Sequence, residues 1–296
     1  MSVQLIARVP VTVGIVWAIL TALVPLAMGY YAPYAVRAGI RCVRTAVPFR
    51  LDPPFPADMC QGLADLYRLT YLGLMVDSMF RSLALLVGAA ALALVLGTLL
   101  GVTAALLRRR AWASAGIVAI TTLLSAVPAF FVAYFLQIVV VLIVGAMPEG
   151  SRFLPVFGFG YDGHLVLPLL SVSLAAIAFT AQLTATRMRD VLDSDFITAA
   201  NAKGLRTSWI LGVHVMPHVR PVLLEALGSG LRVSVASLPI IEFLFNWRGI
   251  GQLALEAVGV HDAATVIFSA VVLTALFTTL SAIADLSRPR AIYEGA

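Results

Sequence analysis

Apolar positions run along this chain in blocks of about the length a helix needs to cross a bilayer, roughly 20 residues for a hydrocarbon core near 30 Å thick. Six blocks stand out, at about 9–30, 82–107, 112–144, 165–184, 221–241 and 264–285. The block 112–144 contains Pro128; it is long for one perpendicular helix and short for two joined by a turn. We expect one tilted helix kinked at Pro128, because proline removes a backbone hydrogen bond from a helix interior. A two-helix hairpin is the alternative, and it would invert the topology of everything downstream. The expected fold is all-α: a polytopic integral membrane protein of about six transmembrane helices. Residues 1–80 would form the first helix and an external loop, 81–290 the core with a polar insertion at about 185–220, and 291–296 a short tail.

Basic residues give the orientation, since lysine and arginine collect on the cytoplasmic side. With the N-terminus inside, the inner segments hold Arg8, Arg108, Arg109, Arg110, Arg187, Arg189, Lys203, Arg206, Arg220, Arg288 and Arg290, which is 11 of the 20 basic residues. Both termini are then cytoplasmic. The run Arg108-Arg109-Arg110 has no acidic neighbour in sequence and reads as a stop-transfer signal. One basic residue ahead of the first block and no small-x-small site argue against a cleavable signal peptide.

Composition strengthens this reading. The chain is 61% hydrophobic and 12% charged, where a soluble domain carries about 25% charged residues. The net charge of +5 comes almost wholly from arginine. Long apolar runs without a basic, aromatic-studded face exclude nucleic acid as a partner. The segment 31–80 is rich in Pro, Arg and Asp and holds both cysteines, Cys42 and Cys60. In an oxidising compartment they could form a disulfide; two free thiols packed in a loop is the other reading. No histidine accompanies them, so no metal site is expected.

Several chemistries are missing. No GxxxxGK[ST] phosphate loop occurs, because the sole lysine, Lys203, precedes Gly204 rather than following a glycine. His214 and His218 stand four apart, but HVMPH lacks the glutamate of a zinc protease and carries a proline. There is no GxSxG elbow and no chain of intramembrane acids and histidines for a proton relay. The chain is therefore expected to hold no cofactor and to catalyse no reaction by itself.

The insertion contains TAANAKGLRTSWILGVHVMP, residues 198–217. Met188, Val191, Leu192, Phe196, Ala199 and Ala200 recur at close to 3.6 residues. Asp193, Ser194 or Asp195 would cap a short helix. Gly204 suits a left-handed helix stop with Lys203 in the last turn. TSWILGVHVMPH then begins a second amphipathic piece, which Pro217 ends or hands on to the next span. Two short helices at a glycine elbow make a knob, and alanines at its tip would let it enter a groove on a partner.

This stretch resembles the EAA loop of ABC importer permeases: EAA, three residues, Gly, nine residues, then I-x-L-P. Thr198-Ala199-Ala200, Gly204 and His214-Val215-Met216-Pro217 keep that spacing, with Thr198 for the Glu, His214 for the Ile and Met216 for the Leu. DFITAANAKGL is similar to the first permease subunit of the dipeptide/oligopeptide/nickel subfamily. The later VASLPIIEFLFNWRGIGQLALEAVGVHD resembles the same subfamily through Glu242, Phe245, Gly249, Gly251, Ala257 and Asp262, with Arg248 where proline is usual. SRPR near the end resembles its DPR. The likeness runs from about 80 to 290.

The resemblance implies a type I ABC permease fold in the inner (cytoplasmic) membrane. It implies a second permease subunit, two ATP-binding subunits that hold ATP and Mg²⁺, and an extracytoplasmic solute-binding protein as partners. The coupling loop would comprise Asp195, Thr198, Ala199, Ala200, Lys203, Gly204, Leu205 and Pro217. Subfamily substrates are di- and oligopeptides, nickel chelates and other small solutes, and no specificity pocket is recognisable here. Arg232 falls mid-span, seven residues after Glu225, where a charge should face the bundle interior or an acid. The two would line the translocation path or pair at a subunit seam. Glu242 and Arg248 could form an external gate. A self-contained channel or secondary carrier is the competing class, though paired broken helices in two repeats are not evident. A membrane-embedded enzyme is the other, and no catalytic constellation supports it.

Overall fold

The computed structural model describes residues 13–15, 19, 71–148, 154–259 and 262–287. Every regular element among them is helical. Helix α1 (Tyr71–Leu92) continues through a π-helical turn (Ala93–Gly97) into α2 (Thr98–Leu106), which closes in a 3-10 turn (Leu107–Arg109). Then come α3 (Ala111–Ala126), α4 (Ala129–Gly145), α5 (Val166–Leu192), α6 (Asp195–Ala202) and α7 (Thr207–Trp209). A second π-helical stretch (Ile210–Val215) leads into α8 (Met216–Phe245), followed by α9 (Ile250–Gly259) and α10 (Ala263–Ser287).

Four stretches are long and apolar enough to cross a bilayer: Gly73–Arg109, Gly163–Leu192, Thr207–Phe245 and Thr265–Ala282. They correspond to four of the expected blocks. The first block, 9–30, lies almost wholly outside the described residues, as do Cys42 and Cys60. The span expected from residue 82 begins earlier, at Tyr71, so a boundary at residue 80 falls inside a helix.

Residues 112–144 are not one continuous helix: they part into α3 and α4, bent by 101° at the break, and neither alone is long enough to cross a bilayer, so the pair makes at most one broken span. Val127 takes φ −78° and ψ 128°, the extended conformation that a residue before proline is pushed towards. Pro128 O then accepts from Phe131 N–H at 2.9 Å and from Val132 N–H at 3.3 Å, starting a new helix instead of continuing the old one.

The chain divides into two compact units, each described by itself. The first takes the described parts of Met1–Leu85, Ala133–Pro168 and Val235–Thr279. Its core packs Leu74 and Met75 of α1 against Ile250, Leu253 and Ala257 of α9, with Val266 and Val272 of α10 beside them. Asp262 caps α10: its carboxylate accepts from Thr265 N–H at 3.1 Å and from the Thr265 hydroxyl at 2.8 Å.

The second unit takes Leu86–Val132, Leu169–Ser234 and the described part of Leu280–Ala296. Between membrane helices there is little hydrophobic driving force, so close approach through small residues carries the packing. Gly97 and Gly101 lie against Thr180, Ala181 and Thr184 of α5; Gly230 of α8 lies against Ala176, and Gly228 against Ala284. A Cβ at Gly230 would overlap the Ala176 backbone, so that crossing accepts no side chain.

Candidate functional site

The polar insertion forms a compact projection within the second unit. α5 stops at Leu192, and α6 begins at Asp195. Ser194 occupies the N-cap position with φ −77° and ψ 152°, yet its hydroxyl does not cap; it donates back to Val191 O at 2.5 Å. Asp195 in the first turn supplies the negative charge that a helix start favours. Ile197 and Ala200 point inward and join Ala105, Met188, Val191, Ile210, Val215 and Val219 in one apolar cluster.

The end of α6 is a Schellman stop. Gly204, at φ +73°, donates to Asn201 O at 2.9 Å, and Leu205 N–H reaches back to Ala200 O at 3.3 Å. A Cβ at Gly204 would meet no atom within 4 Å. The position therefore needs glycine for its backbone angle, not for room. Arg206 is extended, and the chain re-enters helix at Thr207.

Residues 201–209 are all exposed, as are Asp195, Thr198, Ala199 and Pro217. Lys203, Gly204 and Leu205 thus form the tip. Ala200 does not: at 7% exposure it packs into the protein's own core, and only Ala199 of the pair faces outward. Pro217 does not end the amphipathic piece. It is the second residue of α8 and follows directly on the π-helical stretch Ile210–Val215, inside the continuous helical run Thr207–Phe245. Sequence reasoning missed Trp209, 58% exposed on this projection, and the outward turn of Phe196, which packs on the His218 ring at 5.6 Å. The helical period grouped Phe196 and Ala199 with Met188, Val191 and Ala200, and only the fold turns those two outward.

The second constellation lies in the first unit, where α8 meets α9. α8 ends in another Schellman stop: Asn246, at φ 55°, donates to Phe243 O at 3.2 Å, and Trp247 N–H reaches Glu242 O at 2.9 Å. Trp247 is fully buried. Its indole N–H donates to Arg81 O at 3.1 Å, and its ring meets Phe159 edge-on at 4.9 Å. The Arg81 guanidinium sits 4.0 Å over Phe159 and pairs with Asp77.

Glu242 is completely buried. Its carboxylate accepts from the Ser82 hydroxyl at 2.5 Å, from Gly251 N–H at 2.8 Å and from Gln252 N–H at 3.1 Å. Ser82 Oγ in turn accepts from Ile250 N–H at 2.8 Å. The first three N–H groups of α9, which have no partner within their own helix, are therefore all satisfied from α8 and α1. A Cβ at Gly249 would collide with the Glu242 carboxylate, which accounts for glycine there. Glu242 is thus a cap supplied to α9 from another helix.

Arg248 is exposed and at φ 57°, a left-handed angle closed to proline. Its N–H donates to Gln252 Oε1 at 2.6 Å. The departure from the usual proline is thus built into the backbone. Arg248 edges a cleft of about 160 Å³, with Asp77, Ser78, Arg81 and Glu256 among its lining residues. Gln252 orders that rim, donating to Asn246 Oδ1 at 2.8 Å and to Glu256 Oε1 at 2.7 Å. Arg232 and Glu225 are both half-buried on α8, in the second unit, and Arg232 donates to Ser229 Oγ at 2.9 Å. Among the described residues no three His, Cys, Asp or Glu side chains converge to hold a metal.

Residues 97–293 match the family model described as binding-protein-dependent transport system inner membrane component. A putative peptide permease protein of Brucella ovis is 26% identical over 221 residues, covering 74% of this chain and 69% of its own. A putative peptide transport system permease protein of Brucella abortus is 28% identical, covering 72% of this chain and 68% of its own. The peptide transport system permease protein SapB of Salmonella typhimurium is 26% identical, covering 66% and 68% respectively. Among solved structures, the inward-facing MetNI methionine ABC transporter contains a chain that superposes with a TM-score of 0.56 at 18% identity, covering 74% of this chain and 98% of that one.

Proposed function

Since the chain belongs to the family of binding-protein-dependent transport system inner membrane components, and is thus a membrane-embedded permease subunit of an ABC importer and not an enzyme, we propose that it forms one half of the path for a peptide or a similar small solute. A second permease subunit completes the path. Two ATP-binding subunits, which carry ATP and Mg²⁺, drive it from the cytoplasmic side of the inner membrane, and an extracytoplasmic binding protein delivers the solute. Names of relatives from three genera that specify peptide transport support the substrate class.

The projection at Asp195–Trp209 is the coupling element in this reading. The observation that carries it is the division of labour along α6: Ile197 and Ala200 anchor the projection in the protein's own core, while residues 201–209 stand clear of it. A rigid, anchored and exposed elbow can transmit the motion of a partner; a loose connector cannot. Arg248 at the rim of the cleft and Arg232 with Glu225 within α8 remain candidates for contact with the solute path.

The test is uptake by the reconstituted importer. Gly204→Asp forces a side chain into a left-handed position at the tip, and Ala199→Asp places a charge on the outward face. Each is expected to lower uptake at least tenfold while membrane insertion and the thermal midpoint of the complex stay near wild type. Ala200→Asp does not discriminate, because it buries a charge in the core. Normal uptake in Gly204→Asp and Ala199→Asp would remove the coupling role.

A further inference from the structure

The arginine triplet lies outside the proposed coupling element and path residues, and the structure gives it a setting that a bare stop-transfer signal does not need. The stretch Gly73–Arg109, long and apolar enough to cross a bilayer, runs into it, so in the orientation read from the basic residues Arg108, Arg109 and Arg110 lie at the cytoplasmic end of that stretch. The chain then turns at once into α3, with Arg110 as the residue before its first turn. The corner is held by side chains, all within the second unit. Arg108 Nε pairs with Asp193 at 3.2 Å, so an acid from another helix supplies the neighbour that the local sequence lacks. Ser114 Oγ donates to Ala104 O at 2.7 Å and accepts from Arg189 Nη2 at 2.5 Å, which ties α3 to both α2 and α5.

These bonds commit Arg108 and Arg189. Arg109 and Arg110 are exposed, and among the described residues no carboxylate lies within ion-pair distance of either. Beside them Trp112 is 80% exposed, the placement of an aromatic residue at a membrane–water boundary. On either side of the corner, bare aliphatic side chains continue into the bilayer: Leu99 and Leu106 on α2, Ile120 and Leu123 on α3. Two guanidiniums without an acid, an interfacial indole and flanking aliphatic faces match the parts of one molecule, an anionic headgroup with two acyl chains. Guanidinium is also the side chain whose fork fits a phosphate with two hydrogen bonds.

We propose that the corner Arg109–Arg110–Trp112 is a seat for the phosphate head of an anionic phospholipid. The occupant comes from the membrane rather than the aqueous phase, because the aliphatic flanks would go unused by a free anion. Lipid binding at this corner is independent of transport, and it is measured without turnover.

The full-length chain, with its partner subunits, would be placed in nanodiscs of equal phosphatidylglycerol and phosphatidylcholine, and the lipids retained on the ejected complex counted by native mass spectrometry. Wild type is expected to retain phosphatidylglycerol in preference. Arg109→Gln with Arg110→Gln is expected to reduce that preference on the order of tenfold, as suits the loss of two basic residues near a charged surface. Arg109→Lys with Arg110→Lys should keep most of it, and Arg220→Gln, an exposed arginine elsewhere, should leave it unchanged. The proposal is overturned by equal retention of the two lipids in wild type, by a preference that survives the double glutamine variant, or by an equal loss in the Arg220→Gln control. Loss in the lysine variant would overturn it too, since damage to the corner and not its charge would then be what the count reports.

Discussion

At Arg248 the chain holds a non-glycine residue in the left-handed region, at φ 57°, two residues after Asn246 at φ 55°. Each such residue costs about 1–2 kcal/mol unless its surroundings over-determine it. Here they do: the Schellman stop fixes Asn246, the buried Trp247 pins the residue between, and Arg248 N–H is bonded to Gln252. The family's usual proline is therefore the wrong residue for this backbone. Arg248→Pro would need φ near −65° and would lose the N–H bond, so we expect a fall in the thermal midpoint equivalent to about 3 kcal/mol. Arg248→Gly relieves the strain and should hold or raise the midpoint. Differential scanning fluorimetry on the purified chain reads both, and a stable Arg248→Pro would show that the corner had been misassigned. At the same scale, Glu242 satisfies the start of a neighbouring helix, a role that its residue type alone does not announce.

At the scale of elements, the crossing of the π-helical turn and α2 with α5 invites a paired test. Gly97 and Gly101 abut Thr180 and Thr184, both fully buried, and neither threonine hydroxyl has a hydrogen-bond partner among the described residues. A buried polar group left unmade costs about 1–3 kcal/mol, and replacing it by an apolar isostere recovers part of that. Thr180→Val and Thr184→Val should each be neutral or raise the thermal midpoint by a few degrees. Gly97→Ala and Gly101→Ala should lower it, because the added Cβ would sit 2.7 and 2.6 Å from the facing side chain or backbone. If both sets moved the midpoint the same way, the crossing would be less tight than the structure has it. A marked loss of uptake in a stabilised threonine variant would instead assign the unmet hydroxyls to another state of the transport cycle.

For the whole molecule, the orientation proposed here counts α3 and α4 as one broken crossing and so places the Gly204 elbow and both termini on the cytoplasmic side. In a Cys42→Ser, Cys60→Ser background, Lys203→Cys should react with a membrane-impermeant maleimide in inside-out vesicles and stay unlabelled in right-side-out ones. Labelling from outside would turn the whole arrangement over, and with it the docking of ATP-binding subunits on this elbow. The same exposure that makes Lys203 a suitable probe leaves Trp209 and Leu205 bare, so labelling should fall when the ATP-binding partners are present.

The amino-acid sequence alone determined four of the stretches long and apolar enough to cross a membrane, the glycine elbow, and the family, because apolar block length, turn chemistry at Gly204 and the spacing from Ala199 to Pro217 are local properties of the chain. It did not determine which way Ala199 and Ala200 divide. One faces solvent and the other the core, and that depends on Met188 and Val215 arriving from elsewhere. Nor did it show that Glu242 would be sealed beneath α9, since the N–H groups that receive it lie nine and ten positions further on and the hydroxyl 160 positions back. The break at Pro128 was half legible. Proline announced a disturbance, but whether its helix bends or parts was decided by the extended Val127 and the new helix that starts on Pro128 O. Periodicity specifies that a face is buried; only the folded chain specifies against what.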